Sequence, residues 1–237
     1  MRYLDVDALE HMDAKAFQQR PPYPWANPAG LLTEEGYAAL RDSLPAAEHF
    51  EEIFGKTRRY GQQPHDRLAL EYSPDIELSP HWQAFMQELH GPHYRQFMAR
   101  MLGTQAFSLR FHWHYTPASC SVSPHCDARE KLGSHIFYLN TESDWDPSWG
   151  GETLVLDDGG RFQRDSAPEF EDFDRCVSSQ ALGNWSLIFT RAGNSWHGVR
   201  EVRCPEGRMR KVFIVVINRD DRLTRMQRWL RPAMGGY

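Results

Sequence analysis

The stretch "AFSLRFHWHY", Ala106 to Tyr115, decides how the chain is read. Phe107, Leu109, Phe111, Trp113 and Tyr115 alternate with Ser108, Arg110, His112 and His114, a period of two that gives a β-strand one apolar and one polar face. Upstream the period is different. In "SPHWQAFMQELHGPHYRQFMARML", from Ser79, the residues Trp82, Phe85, Met86 and Leu89, then Tyr94, Phe97, Met98 and Met101, recur at three and four, predicting two amphipathic helices broken near Gly91-Pro92. "LTEEGYAALRDSL" predicts a further helix, with Thr33 as N-cap and glutamates at its positive end. The proline-rich "QQRPPYPWANPAG" before it reads as a packed or substrate-proximal coil.

Downstream, strands are expected over Ile136–Asn140, Thr153–Leu156, Trp185–Thr190 and Arg210–Ile217, each bounded by Gly, Asp, Asn or Pro. The stretch from Asp157 to Gly183 is polar and irregular and reads as an excursion over the surface. The expected fold class is α+β in a single domain, 1–237. Residues 1–104 form a mainly helical or irregular support, 105–218 a β-rich core, and 219–237 a C-terminal tail or short helix with Leu223, Met226 and Leu230 on one side.

Composition excludes several classes. With 27 basic and 32 acidic residues the net charge is −5, so no general basic field exists to hold nucleic acid. The N-terminal segment mixes charges every few residues, and the longest apolar run, "VFIVVI" from Val212, is strand-sized, so neither a signal peptide nor a membrane span is expected. Cys120, Cys126, Cys176 and Cys204 form no CxxC pair, which fits reduced thiols and a cytoplasmic location.

Among 11 histidines, His125 and Asp127 stand out. On extended backbone, residues i and i+2 point to the same side, so both can converge on one point while Cys126 points away. The isolated His197 in "GNSWHGVREV" offers a third ligand. Two imidazoles and one carboxylate on one face of a metal, with other positions open, is the arrangement of non-haem Fe(II) oxygenases. Spacing alone does not decide this, since His112 and His114 are also an i, i+2 pair and His135 is a further histidine of the same kind.

The surrounding residues do. "HYTPASCSVSPHCD", "FYLN", "WGGETLVL", "WHGVREV" and "RKVFIVVIN", in that order between about Leu109 and Asn218, resemble the 2-oxoglutarate and Fe(II)-dependent dioxygenases, in particular the prolyl 4-hydroxylase-like branch. The resemblance implies a double-stranded β-helix, or jelly roll, supported by the N-terminal helices. It implies Fe(II) held by His125, Asp127 and His197, with 2-oxoglutarate and O2 as co-substrates and ascorbate admitted as an accessory. It also implies a basic residue for the distal carboxylate of 2-oxoglutarate, a role suited to an arginine fork. Arg210 is preferred, because it directly precedes the apolar strand, and Arg208 is the alternative. Tyr138 and Tyr115 match positions where the family places co-substrate contacts, although each also suits a core aromatic with a satisfied hydroxyl. Asn140 and Thr153 either line the pocket or cap strand ends.

The implied reaction hydroxylates a C–H bond while 2-oxoglutarate is decarboxylated to succinate. Its substrate is a prolyl or other residue of a protein or peptide, or a small metabolite. The competing readings are a non-catalytic, metal-binding, cupin-like jelly-roll module, which would lack the co-substrate arginine, a structural β-sandwich with incidental histidines, and a zinc hydrolase indifferent to 2-oxoglutarate.

Overall fold

The computed structural model describes residues 1–220, so the tail or short helix expected over 219–237 lies, beyond Asp220, outside the described residues. The polypeptide begins with short helices α1 (Val6–His11) and α2 (Ala14–Gln18), each capped by an aspartate, Asp5 or Asp13, whose carboxylate accepts from first-turn amides. Next come β1 (Trp25–Ala26) and α3 (Glu34–Asp42), where the Thr33 hydroxyl accepts from the Gly36 amide as the sequence predicts. Strands β2 (Glu51–Ile53) and β3 (Arg67–Glu71) precede α4 (Pro80–His90) and α5 (Pro92–Leu102). Proline opens both of these helices, and Gly103, at φ +68°, ends α5 in the left-handed conformation that glycine adopts at no steric cost.

The β-rich part contains β4 (Phe107–Thr116), β5 (Val122–His125), β6 (Lys131–Tyr138), β7 (Leu154–Asp157), β8 (Arg175–Ser178), β9 (Ser186–Thr190), β10 (His197–Val199) and β11 (Arg210–Arg219). Two antiparallel sheets result, a seven-stranded one in the order β1-β9-β6-β11-β4-β3-β2 and a four-stranded one in the order β5-β10-β7-β8. Their inner faces meet where Val155 of β7 packs with Tyr138, Leu187, Phe189 and Val212, closing the expected jelly roll.

Strand β11 is the spine. It pairs with β4 from Arg210↔Thr116 to Arg219↔Phe107 and with β6 on its other edge. Burial on both faces explains why "VFIVVI" is apolar without alternation. On β4 the alternation is kept: Phe107, Phe111, Trp113 and Tyr115 enter a core shared with Trp82, Phe85, Phe97 and Met98 of α4 and α5, while His112 and His114 face the other way. Each fully buried aromatic there contributes roughly 2–3 kcal/mol of hydrophobic stabilisation, and together they fix the helices to one side of the large sheet.

Two regions differ from expectation. The N-terminal part supplies three strands to the large sheet: β1 from the proline-rich coil, paired with β9, and β2 with β3, the latter paired with β4. Leu68 and Leu70 against Arg67, Ala69 and Glu71 are too short an alternation to register as a strand beside strong helical signals. The excursion after Asp157 carries β8, and Phe162, Phe170 and Phe173 from it cover Leu154, Leu156 and Trp196 on the outside of the small sheet. Its polar composition hid three aromatic residues that serve as a local core.

Candidate metal centre

Strand β5 ends at His125 and β10 begins at His197, and the antiparallel register places these two residues opposite each other. Their rings lie 4.3 Å apart, centroid to centroid. Asp127 follows two residues after the β5 histidine, and one ligand atom from each of His125, Asp127 and His197 lies within 4.8 Å of the others. All three side chains line the space between the sheets, against Phe189, whose ring is 4.5 Å from that of His197.

The hydrogen bonds set the chemistry of the donors. Nδ1 of His125 lies 3.0 Å from the Ser123 carbonyl and Nδ1 of His197 lies 3.0 Å from the Ser195 carbonyl. A carbonyl only accepts, so both Nδ1 atoms carry the proton, which leaves each Nε2 lone pair for a metal. Burial pushes both imidazoles well below or below their ordinary pKa, so both are neutral at pH 7. Burial alone would raise the Asp127 carboxyl. The Lys131 ammonium, 2.8 Å away, and then His197 and His125 outweigh it and hold the group below the usual carboxylate range. The Asp127 main-chain carbonyl is gripped from outside by Arg164 and Arg191, each at 3.0 Å. Two neutral imidazoles with fixed tautomers and one ionised carboxylate form a donor set that fits a divalent cation.

Arg210, 7% exposed, is linked to this centre through the buried cluster that holds both Phe189 and Tyr138. Its Nε–H donates to the Gly151 carbonyl and its NH2 group donates to Thr153 Oγ1 at 3.2 Å, with the guanidinium 5.8 Å from the Tyr138 ring centroid. Gly151 has φ +96°, and a Cβ there would meet the Arg210 side chain at 3.1 Å, so the second glycine of "WGGET" is needed both for its backbone angle and for the approach of the arginine. Tyr138 shares a 2.7 Å hydrogen bond with Ser179, whose Oγ also accepts from the Thr153 amide. Among the described residues no ion pair includes Arg210. Glu152 is near enough to favour its charge but makes no ion pair with it.

The structure therefore brings His125, Asp127 and His197 together and sets Arg210 and Tyr138 in the same interior. It does not bring Tyr115 or Arg208 there. Tyr115 lies on the helix-facing side of β4, stacked on Phe50 at 4.2 Å with its hydroxyl donating to the Pro45 carbonyl, because the period of two puts odd-numbered residues of this strand in the helical core. Arg208 is exposed in the turn before β11. Asn140 caps strand ends, accepting from the Lys211 amide and donating to the Met209 carbonyl, while Thr153 joins the Arg210 network.

Other residues at the site escaped the sequence reading. His65 lies tilted against His125, ring centroids 4.6 Å apart, and its Nε2 is 3.1 Å from Ser123 Oγ. Tyr23, from the proline-rich coil, donates to the Trp196 carbonyl at 2.7 Å and packs on Phe189. No local spacing marks either residue, since each reaches the centre through a long-range contact. The polar side of "RFHWHY" was the available signal for His112 and His114, but it did not say which face was interior. A cavity of about 410 Å³, lined by Ser121, Ser123, Trp149, Glu152, Phe170 and Arg200 among others, lies beside the centre, and none of the three candidate ligands lines it.

Among the described residues no helix is long and apolar enough to cross a membrane. No curated protein matches the chain. Solved structures share its fold. A prolyl-4-hydroxylase from Pseudomonas putida is 16% identical, with a TM-score of 0.60 over 87% of this chain and 98% of that one. A prolyl hydroxylase from Trichoplax adhaerens, in complex with a hypoxia inducible factor oxygen degradation domain peptide fragment, is 13% identical, with a TM-score of 0.58 over 96% and 94%. The non-heme α-ketoglutarate dependent epimerase SnoN from nogalamycin biosynthesis is 14% identical, with a TM-score of 0.62 over 91% and 82%. Residues 110–217, just under half of the chain and including His125, Asp127, His197 and Arg210, match the family model of the 2OG-Fe(II) oxygenase superfamily.

Proposed function

We propose that this protein is a 2-oxoglutarate-dependent hydroxylase in which His125, Asp127 and His197 hold Fe(II), while Arg210, assisted by Thr153 and Tyr138, holds the distal carboxylate of 2-oxoglutarate. The observation that carries this reading is Arg210, buried and without an ion pair among the described residues, in the same interior as the three candidate metal donors. A guanidinium this deep retains its proton, and leaving it without an anion costs several kcal/mol. A dicarboxylate spanning from the metal to Arg210 supplies that anion. A cupin-like module that merely binds metal has no use for such an arginine, and neither has a zinc hydrolase.

When bound, Fe(II) and 2-oxoglutarate supply the oxidising power, O2 being reduced as 2-oxoglutarate is converted to succinate and CO2. The protein's own share is positional. The backbone carbonyls of Ser123 and Ser195 hold the two imidazole rings in one tautomer. Burial raises the Tyr138 phenol, so it stays protonated as a donor beside Arg210. Phe189, Leu187 and Val155 keep bulk water from the space between the sheets. The substrate is a prolyl or other residue of a peptide, or a small metabolite, presented with one C–H bond toward the metal. Residues 1–104 serve as support for the core over 105–218, and the four free thiols suit a reducing, cytoplasmic setting.

Adding Fe(II) and 2-oxoglutarate anaerobically to metal-free protein tests the reading. A visible charge-transfer band is expected in the wild type and is lost in His197→Ala. Iron binding without a band would refute the hydroxylase and leave the metal-binding module.

A further inference from the structure

Five connections between strands meet around the cavity of about 410 Å³ beside the metal centre. The β4–β5 link gives Ser121, the β6–β7 link Trp149 and Glu152, the excursion after β7 Phe170, and the β10–β11 link Arg200. The β2–β3 segment completes the wall. Gln63 lines the cavity, Gln62 donates to the Ser166 carbonyl of the excursion at 3.0 Å, and Ser123 Oγ donates to the Gln63 carbonyl at 3.3 Å. The volume is that of a ligand pocket, roughly 300–1,000 Å³. Ser123 joins this space to the metal centre, since it lines the one and its carbonyl holds the His125 tautomer in the other. By strand rise the two residues stand roughly 7 Å apart.

The charges of this wall do not cancel. Arg200 pairs with Glu171 at 2.6 Å and Arg203 with Glu201 at 3.9 Å, which leaves Glu152 and Glu169 over. Glu169 is exposed, where water screens it. Glu152 is half-buried, and among the described residues its carboxylate makes neither a hydrogen bond nor an ion pair. Arg210, whose charge reaches Glu152, turns to Gly151, Thr153 and, in the functional reading, to 2-oxoglutarate. The carboxylate stands beside an aromatic ring: its Oε2 is 3.8 Å from where a Cβ on Gly150 would be, next to Trp149 in the chain. Trp149 is held edge-on against Trp145 at 5.3 Å, and among the described residues no cation lies over it. Another part of the wall shows what such a pair holds. There the Arg200 guanidinium lies 4.8 Å from the Phe170 ring centroid while Glu171 pairs with it, a cation between an aromatic face and a carboxylate. A metal ion does not fit at Glu152, because the one converging group of His, Cys, Asp or Glu donors among the described residues is His125, Asp127 and His197.

Resting on the functional reading above, we propose that this cavity binds a primary ammonium group of the substrate against Glu152 and Trp149, so that a C–H bond further along the same molecule faces the metal. An ammonium has three donors and no acceptor, and the wall answers with acceptors, the Glu152 carboxylate and the hydroxyls of Ser121 and Ser148. The Trp149 face adds an attraction that a neutral group does not gain. The classes excluded are anionic substrates and substrates without a cation. A lysyl side chain of a peptide and a free aliphatic amine both carry the group, and the two are separated by titration.

The test begins with the wild-type complex of Fe(II) and saturating 2-oxoglutarate, prepared anaerobically, its charge-transfer band recorded first. Butylammonium is then titrated by calorimetry at pH 7, with 1-butanol as the neutral control and butyrate as the anionic one. Saturable binding of butylammonium is expected, with 1-butanol about tenfold weaker or more and butyrate weaker still. Glu152→Gln should weaken butylammonium about tenfold and Trp149→Leu about threefold while the band is unchanged. Glu201→Gln, which also alters the wall but at a carboxylate paired with Arg203, should bind as the wild type does. Nα-acetyl-lysine N-methylamide binding more tightly than butylammonium assigns the ammonium to a peptide, and equal affinity assigns it to a small amine. Failure of butylammonium to saturate, equal binding of 1-butanol, tighter binding of butyrate, or unchanged binding in Glu152→Gln would each overturn the proposal. So would loss of the band as butylammonium is added, because the amine would then be on the metal. Absence of the band before any addition would instead overturn the metal-site reading beneath it.

Discussion

The two faces of the large sheet use the same strands and the same hydrogen-bond ladders for opposite purposes. On the helix side, Phe213 lies among Trp82, Trp113, Phe85, Phe111 and Phe137, with ring centroids 4.9 to 6.1 Å away. On the inner side, the neighbouring positions of the same strands present Arg210, Tyr138 and His114. Even histidine is split between them. His135 faces the helices, buried, with Nδ1 on the Tyr94 hydroxyl and its ring against Phe137, whereas His125 and His197 face inward. All three are neutral through burial. Burial therefore does not make a histidine a ligand. What sets His125 and His197 apart from His135 is convergence with a carboxylate and a tautomer fixed from behind.

If the faces are separable in this way, variants should break one and spare the other. Phe213→Ala is expected to have the largest effect, lowering unfolding free energy by about 3–5 kcal/mol through the cavity it leaves. Protein still folded should bind Fe(II) and 2-oxoglutarate as before, as read by urea unfolding beside the charge-transfer band. A lost band in folded protein would show that the faces are coupled. Arg210→Met reverses the pattern. Replacing a buried charge by an apolar chain of similar length should leave stability unchanged or raise it, while 2-oxoglutarate affinity falls about a hundredfold, roughly 2.7 kcal/mol. Marked destabilisation with unaltered affinity would reassign Arg210 to the fold.

The same contrast explains what was legible in the sequence. Where a residue's partners are near in sequence or its face repeats with a clean period, it could be read: α4 and α5 from Trp82 to Met101, the two sides of β4, and the i, i+2 pair at His125 and Asp127. Arg210 was reachable because it stands at the head of the apolar strand, where the resemblance places the basic residue for the co-substrate. What was not legible came from long-range closure. Tyr115 was assigned to the co-substrate by its distance from His125, yet the alternation of its own strand sends it to Pro45 and Phe50. His65 and Ser179 reach the interior from segments with no periodic signal, and β3 becomes a strand only because β4 offers it an edge. A period reports that two faces differ. Which of them is inside depends on the second sheet, whose position no local pattern encodes.

The helix-side histidine offers a smaller, pH-dependent effect. Burial lowers His135 from 6.5 to about 3. As pH falls below 6.5 the unfolded chain takes up a proton that the folded one refuses, so the stability present above that pH is lost toward 3. For one such group the loss between pH 6.5 and 5 is up to about 2 kcal/mol. In metal-free protein, His135→Gln should flatten the fall of unfolding free energy over that window by nearly one proton, measured by urea unfolding at several pH values. An unchanged slope would mean that His135 is protonated in the fold.

The two tyrosines give the finest test, because the substitution is identical and only the face differs. Tyr138→Phe removes the hydroxyl that bonds Ser179, beside Thr153 and Arg210, and should weaken 2-oxoglutarate binding by about fivefold, near 1 kcal/mol, with little change in stability. Tyr115→Phe leaves the Pro45 carbonyl without its donor and should cost about 1 kcal/mol of stability with 2-oxoglutarate affinity unaltered. Titrating the charge-transfer band and measuring urea unfolding on both variants reads the two quantities side by side. Equal losses of affinity would place both hydroxyls at the co-substrate and erase the division between the faces. Opposite losses would show that one atom, removed from either of the two strands that flank β11, subtracts from function on one side of the sheet and from folding on the other.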